Sequence, residues 1–392
     1  IMVVVYYTSP SFMDTVPEII RGFKHAVELH VVIEISTQNM NSTNINVSSL
    51  DGLGVVENPE KVLGKEQWAL FEPYFEGVAS VKFVVHNKKQ SLSWHSLKRA
   101  WQLGRYLKKL KADIFHFDTI SPRALGLYPY LLGRKVIITL HDPVPHAGED
   151  NWREDVPIIA FFRLAKAFVF YSEFAANEFK KHYNKIKGPV HTIRMQPLSF
   201  TKYFIKGARP EQGSILFFGR VSYYKGIDIL MQAIPKVLAQ FPDERFVIAG
   251  KPVFGYEIDM TPVKGFEKNV LVISRFLTTD EMVQLIRDAK FVVCPYREAT
   301  QSGVIMTSYA VGKPVVGTTV GSFAEYIRDG VNGILSAPDP DALADAMIKA
   351  LSNKRYLELE KNVDGNYNED IGSQNGKVLL NAYSQALHNK KY

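Results

Sequence analysis

The sequence predicts an α/β protein built as two doubly wound domains, each a parallel sheet covered by helices, and three observations carry that prediction. The first is length: 392 residues is, at roughly 150 per domain, two or three domains. The second is periodicity, because short apolar runs of strand length alternate with amphipathic segments of helix length through both halves, the pattern of βαβ units. The third is a break in that alternation at 197–212, where Pro197, Gly207 and Pro210, with Gly213 close by, read as a linker. With 46% hydrophobic and 22% charged residues, there is apolar material for two cores, and a disordered or fibrous chain is excluded.

In order, the first half offers strands at Val3–Tyr7, Val31–Ile35, Val81–Val85, Ile114–Phe117, Val136–Leu140 and Ala167–Tyr171, with an irregular polar stretch near Met40–Ser49. A helix is expected over Trp94–Lys111, with Trp94, Leu97, Trp101, Leu107 and Leu110 broadly on one face and Lys98, Arg99, Arg105, Lys108 and Lys109 among the remainder. After the linker come strands at Ile215–Phe218, Phe246–Ala249, Val270–Ile273, Phe291–Pro295 and Pro314–Gly317. Helices are expected from Asp228 to about Gln240, over Thr279–Ala289 and Pro340–Leu351, with Gly303–Val311 following the fourth of these strands. In open α/β sheets ligands bind outside the carboxyl ends of the strands, so both domains are placed to contribute to one site across a cleft.

Composition excludes several functions. The single cysteine, Cys294, permits no internal disulfide, and no Cys/His spacing suits zinc, so the fold is expected to hold without staples or a thiolate metal site. The run Ile1–Tyr7 is about a third of the roughly 20 residues a membrane span needs and reads as a buried strand. The expected location is therefore cytoplasmic, with the inner face of the cell membrane as a place of peripheral contact. The formal charge of +7 is uneven: residues 1–205 hold 25 Lys and Arg against 19 Asp and Glu, the rest 22 against 21. Such a bias can attract anions or anionic lipid. No RNA-binding or zinc-finger motif accompanies it, so no nucleic-acid partner is expected.

Two loops carry chemistry. Phe217-Phe218-Gly219-Arg220-Val221-Ser222-Tyr223-Tyr224-Lys225-Gly226 runs from a strand through two cations and two glycines into a helix. A diphosphate needs compact positive charge, approachable backbone N–H groups and a helix N-terminus, all present here. Arg220 can fork onto two oxygens and Lys225 adds a point charge. The competing reading is a solvated turn. The second loop, Cys294-Pro295-Tyr296-Arg297-Glu298-Ala299-Thr300-Gln301-Ser302-Gly303-Val304, ends an apolar strand and opens into small polar residues before a helix. Ser302, Gly303 and Val304 bring free N–H groups for a phosphate or sugar hydroxyl, Thr300 and Gln301 suit hydroxyls, and Glu298 could orient a sugar. The competing reading is an ordinary N-cap beside a surface carboxylate.

With these loops in place, the chain resembles the retaining glycosyltransferases of the GT-B fold, in the family 4-like group that includes bacterial capsule, lipopolysaccharide and exopolysaccharide sugar transferases. The matching segments keep their order over most of the chain. They are Phe218-Gly219-Arg220 with Tyr224-Lys225-Gly226, Ile248-Ala249-Gly250, Arg275-Phe276-Leu277 before Thr279-Asp280-Glu281, and Pro295-Tyr296 leading into Ala299-Thr300-Gln301-Ser302-Gly303-Val304. Gly312-Lys313-Pro314-Val315-Val316, Gly321-Ser322-Phe323-Ala324-Glu325 and Asp329-Gly330-Val331-Asn332-Gly333 follow. In the first half, Asp113-Ile114-Phe115-His116 and Thr139-Leu140-His141-Asp142 resemble the acceptor-side strands. Many members carry two glutamates eight positions apart before the Gly-Lys-Pro element, where this chain has Ala299 and Thr307, with Glu298 one residue out of register. The Ala-Thr-Gln-Ser-Gly-Val version resembles a distinct subgroup, and it leaves only Thr307 for the usual carboxylate contact to the nucleotide ribose.

The resemblance implies a GT-B fold of two Rossmann-like domains: an acceptor-side domain at 1–205, a nucleotide-sugar domain at 206–372 and a final helix within 373–392 crossing back to the first. It implies that Arg220 and Lys225 neutralise the diphosphate of a UDP- or GDP-linked hexose, without metal, and that Gly219, Arg275 and Phe276 lie near the donor. His141 would approach the donor sugar, and Asp142 and His146 would meet a saccharide or lipid-linked acceptor. Asp118 is a lesser candidate, read as a solvated loop residue. Retention is explained without a protein nucleophile, and no well-spaced pair of hydrolase carboxylates is present. The competing function is a nucleotide-sugar- or glycan-binding protein that keeps the fold without transfer.

Overall fold

A computed structural model describes residues 1–42, 45–91, 93–143, 159–207, 213–364 and 370–388. The chain forms two compact units, Ile1–Met195 with Glu369–Tyr392, and Gln196–Asn368. Each is described by itself.

The first unit is an eight-stranded sheet. Its strands are β1 (Val3–Thr8), β2 (Glu28–Ser36), β5 (Val55–Val56), β6 (Ser80–His86), β7 (Ile114–Phe117), β8 (Val136–Leu140), β9 (Ala165–Phe170) and β10 (Val190–Thr192); β3 (Asn41–Ser42) and β4 (Ile45–Asn46) form a separate short pair. The order is β10-β9-β8-β7-β1-β2-β6-β5, parallel throughout except for the edge strand β5. Strands covered on both faces are expected to be apolar along their whole length, and β1, β7, β8 and β9 are buried at nearly every position. The order reverses between β1 and β7, which is where a doubly wound sheet opens its ligand crevice.

The last helix, Asp370–His388, completes this unit. Tyr383 is buried and its Oη lies 2.7 Å from His116 Nδ1, while Asn375 bonds both the N–H and the carbonyl of Arg194, at 2.9 and 2.7 Å. The helix crosses the Val16–Arg21 segment so closely that a Cβ on Gly376 would fall 1.9 Å from the Gly22 carbonyl oxygen; only glycine fits there.

The second unit has strands β11 (Ser214–Phe218), β12 (Arg245–Ala249), β13 (Val270–Ile273), β14 (Ala289–Cys294), β15 (Val315–Thr318) and β16 (Gly333–Ser336). They are ordered β13-β12-β11-β14-β15-β16 and all parallel, with the reversal between β11 and β14. The helix Ile227–Gln240 packs against Pro340–Leu351, and Thr279–Asp288 opens with a reciprocal capping box between Thr278 and Glu281.

Two expectations change. The units divide at Met195/Gln196, ahead of the expected boundary at 205, because much of the linker-like stretch is packed. Leu198 and Phe200 are buried, and the turn Ser199–Phe204 rests on the helices Thr279–Asp288 and Gly303–Ala310. The helix Trp94–Leu110 is rolled relative to its expected pose: Ser96, Ala100, Leu103, Gly104 and Leu107 face the core, and Trp94, Leu97 and Trp101 face outward. Small residues stand on this inner face where the neighbours come closest. A Cβ on Gly104 would meet the Tyr130 ring at 2.5 Å, and one on Gly126 would meet Ala100 Cβ at the same distance.

Candidate functional site

In the second unit the two chemically marked loops leave β11 and β14, the strands that flank the reversal, and they interlock. Gly226 sits at φ 65° with the Pro295 carbonyl oxygen 1.9 Å from where a Cβ would be, so a side chain is barred by conformation and by space. The Arg297 N–H donates to the Tyr224 carbonyl at 2.8 Å. Lys225 is buried, its Nζ donates to Tyr296 Oη at 2.6 Å, and the ammonium lies 3.9 Å from the Tyr296 ring centroid. Arg220 is exposed and donates to Tyr224 Oη at 3.1 Å. Gly219 faces Val304 at the start of helix Gly303–Ala310, so the cationic loop lies against a helix N-terminus while its own helix begins at Ile227.

Arg297, given no role by the sequence, clamps Asp228 with its two terminal nitrogens, Nη1 and Nη2, at 2.7 and 2.5 Å and lies over the Tyr223 ring. Burial opposes ionisation of Asp228, but the Arg297 bonds and charge and the backbone N–H groups at the helix start overcome it and hold the carboxyl below its ordinary range. The signal was an arginine beside Glu298 and an aspartate in the first turn of the next helix. A third loop, after β15, closes the arrangement: Ser322 N–H donates to the Ala299 carbonyl at 3.1 Å.

The remaining donor-side residues are placed as follows. Thr300 and Ser302 are buried, Gln301 and Val304 half-buried, and Glu298 and Gly303 exposed. Thr307 is buried and spends its hydroxyl on the Gly303 carbonyl, 2.8 Å away in its own helix. Arg275 is exposed and forks onto Glu281 at 3.0 and 2.7 Å. Phe276 is 50% exposed and so is no core aromatic.

In the first unit, the ends of β1, β7, β8 and β9 converge on one carboxylate. Asp118 is fully buried and accepts from Thr8 Oγ1 at 2.9 Å, Tyr6 Oη at 3.0 Å, and His141 Nε2 and Tyr171 Oη at 3.3 Å. The solvated reading of Asp118 is thereby corrected. Its position after a buried strand, at the sheet reversal, draws it inward, where four donors replace water. Burial would raise its pKa, yet the charge and bond of His141, then His116 and Thr8, leave it lowered. His141 is sandwiched: Phe12 stacks on it at 3.7 Å between centroids, and Tyr171 tilts against it at 4.9 Å. Asp142 is exposed, and His146 lies outside the described residues. Tyr6, Thr8, Phe12 and Tyr171 were not marked by the sequence, since nothing local distinguishes them from core residues. Among the described residues no three His, Cys, Asp or Glu side chains are grouped to hold a metal ion.

Residues 60–194, within the first unit, match the family model for Glycosyltransferase Family 4, and residues 212–353, within the second, match that for glycosyl transferases group 1. Each unit is thus similar, over part of its length, to a glycosyltransferase family domain. An uncharacterized glycosyltransferase of Methanocaldococcus jannaschii is 31% identical over 185 residues, 46% of this chain and 47% of that protein. The phosphatidyl-myo-inositol mannosyltransferase of Mycobacterium tuberculosis is 31% identical over 163 residues, 38% of this chain and 42% of that protein. The chain thus spans about half the length of the curated relatives it matches. Among solved structures, sucrose-phosphate synthase from Thermosynechococcus elongatus superposes with TM-score 0.62 at 14% identity, covering 98% of this chain and 100% of that one. An Anabaena protein solved with UDP and glucose gives 0.60 at 17%, covering 98% of each. The two Rossmann-like units give the chain the GT-B fold.

Proposed function

We propose that the chain is a retaining, metal-independent glycosyltransferase. It moves a hexose from a UDP- or GDP-sugar to a saccharide or lipid-linked saccharide acceptor in surface polysaccharide synthesis, with no resident cofactor. The observation that carries the reading is the meeting of Arg220, Lys225 and two helix starts at the sheet reversal of the second unit. As the C1–O bond to the diphosphate breaks, negative charge grows on the leaving group, and fixed cations stabilise that charge more than the ground state. The acceptor oxygen forms the new C1–O bond on the same face, and its proton passes to a departing phosphate oxygen.

Gly219, Arg275, Phe276, Thr300, Gln301, Ser302, Gly303, Val304 and Thr307 are assigned to the donor, and Glu298 to a sugar hydroxyl. His141, with Asp142 and His146, is assigned to the reacting sugar and the acceptor, with Asp118 holding the His141 ring. The UDP in the Anabaena structure and the lipid named for the mycobacterial relative support a nucleotide-sugar donor and a lipid-borne acceptor. The same reading includes peripheral contact with an anionic membrane at the cytoplasmic face.

Arg220 is exposed, so Arg220→Ala is expected to leave the melting temperature unchanged and lower kcat by roughly 100- to 1000-fold at saturating donor, the usual loss for one charge-stabilising donor. Full activity of the variant would remove the diphosphate role. The Thr307 hydroxyl, committed to its own helix, favours a second reading, a nucleotide-sugar-binding protein without transfer. UDP- or GDP-sugars that raise the melting temperature without any hydrolysis or transfer would select it.

A further inference from the structure

We propose that the outward face of helix Trp94–Leu110 docks on an anionic phospholipid surface. Trp94 is 87% exposed, Trp101 52% and Leu97 47%, an apolar row at helical spacing left exposed among the described residues. Lys98, Arg105, Lys108 and Lys109 are also exposed and project from the same side at 3.6 residues per turn. Residues 94–111 hold six Lys and Arg and no Asp or Glu. The opposite face is fully used against the core through Ala100, Leu103, Gly104 and Leu107, so the tryptophans face out because of the packing and not because the helix is loose.

The chemistry selects the occupant. A core of a protein interface is depleted in lysine, whereas here four cations interleave with the aromatic row, and Arg105 lies 4.9 Å from the Trp101 ring centroid. Indole rings favour the boundary between headgroups and acyl chains, and lysines beside them meet lipid phosphates. Each cation near such a surface strengthens binding about fivefold. The inference locates the membrane contact of the preceding reading on named residues. Its test reads vesicle binding and not turnover, so its failure would leave the transferase assignment standing.

The full chain is pelleted with vesicles of phosphatidylcholine alone and of an equimolar mixture with phosphatidylglycerol, at low and high salt. Binding to the anionic vesicles only, weakened by salt, is expected. Lys98→Glu with Lys108→Glu should reduce it by more than about 25-fold, and Trp94→Ala with Trp101→Ala by about tenfold or more. All four positions are exposed, and unchanged melting curves would verify that the variants fold. Equal partitioning of variants and wild type, or no vesicle binding at all, overturns the assignment. Self-association abolished by the tryptophan changes, without vesicle binding, would give the face to a second copy and equally overturn it.

Discussion

His116 and His86 show how burial at single residues sets the acid sensitivity of the first unit. His116 has both ring nitrogens engaged, with Tyr383 Oη and Thr139 Oγ1 at 2.7 Å each. Burial pushes its pKa down to about 4 against the pull of Asp118, and burial with neighbouring cations pushes His86 to about 3. In the unfolded chain both titrate near 6.5. Between those values the unfolded state holds more protons, so stability is full above pH 6.5 and falls as the pH drops. Each histidine forfeits about 2 kcal/mol by pH 5. The lowered Asp118 adds a loss of the same sign only below its ordinary range, near 3.8. Urea unfolding at pH 7 and pH 5 should therefore show a large drop, made smaller in His116→Gln. An unchanged midpoint at pH 5 would show that these imidazoles are not kept neutral by the fold.

At the scale of elements, strand positions were readable because the strands are continuous apolar runs, fully buried in β7 and β8 and half-exposed in the edge strand β13, and all three match the expected bounds residue for residue. What failed was rotation and convergence. The helix Trp94–Leu110 has too many apolar and aromatic residues for one stripe, and the core took the face whose small residues, Ala100 and Gly104, admit the close approach of Gly126 and Tyr130. Large side chains were then left outside, a choice that depends on partners distant in sequence. The candidate site divides the same way. The cationic loop and the Thr300–Val304 loop were legible from local composition, whereas the Asp118 cluster draws on four strand ends that only the sheet order brings together. Gly104→Leu tests the packing account: it forces the helix off Tyr130 and should cost at least about 2 kcal/mol in chemical unfolding. Tolerance within about 0.5 kcal/mol would show that the small inner face is not required.

For the whole molecule, sequence order and unit membership part company at the last helix. Residues 370–388 follow the second unit in the chain yet supply the first with Tyr383, Asn375 and the Gly22–Gly376 crossing. Removing residues 370–392 leaves His116 Nδ1 buried without its partner, uncovers the Phe23 ring that Tyr383 packs against at 5.7 Å, and frees both backbone groups of Arg194. An orphaned buried polar group costs about 1–3 kcal/mol and a lost aromatic about 3–5 kcal/mol. The sum is a large part of what holds an ordinary domain together. Hydrogen exchange read by mass spectrometry should then lose protection in β1, β7, β8 and β9 while peptides from β11, β12, β14 and β15 keep theirs. Equal loss in both sets would mean that the helix stabilises the chain as one cooperative body. Retained protection in the first set would mean that the Tyr383 contact contributes little. In either case the helix would not be the part of the first unit that its contacts make it.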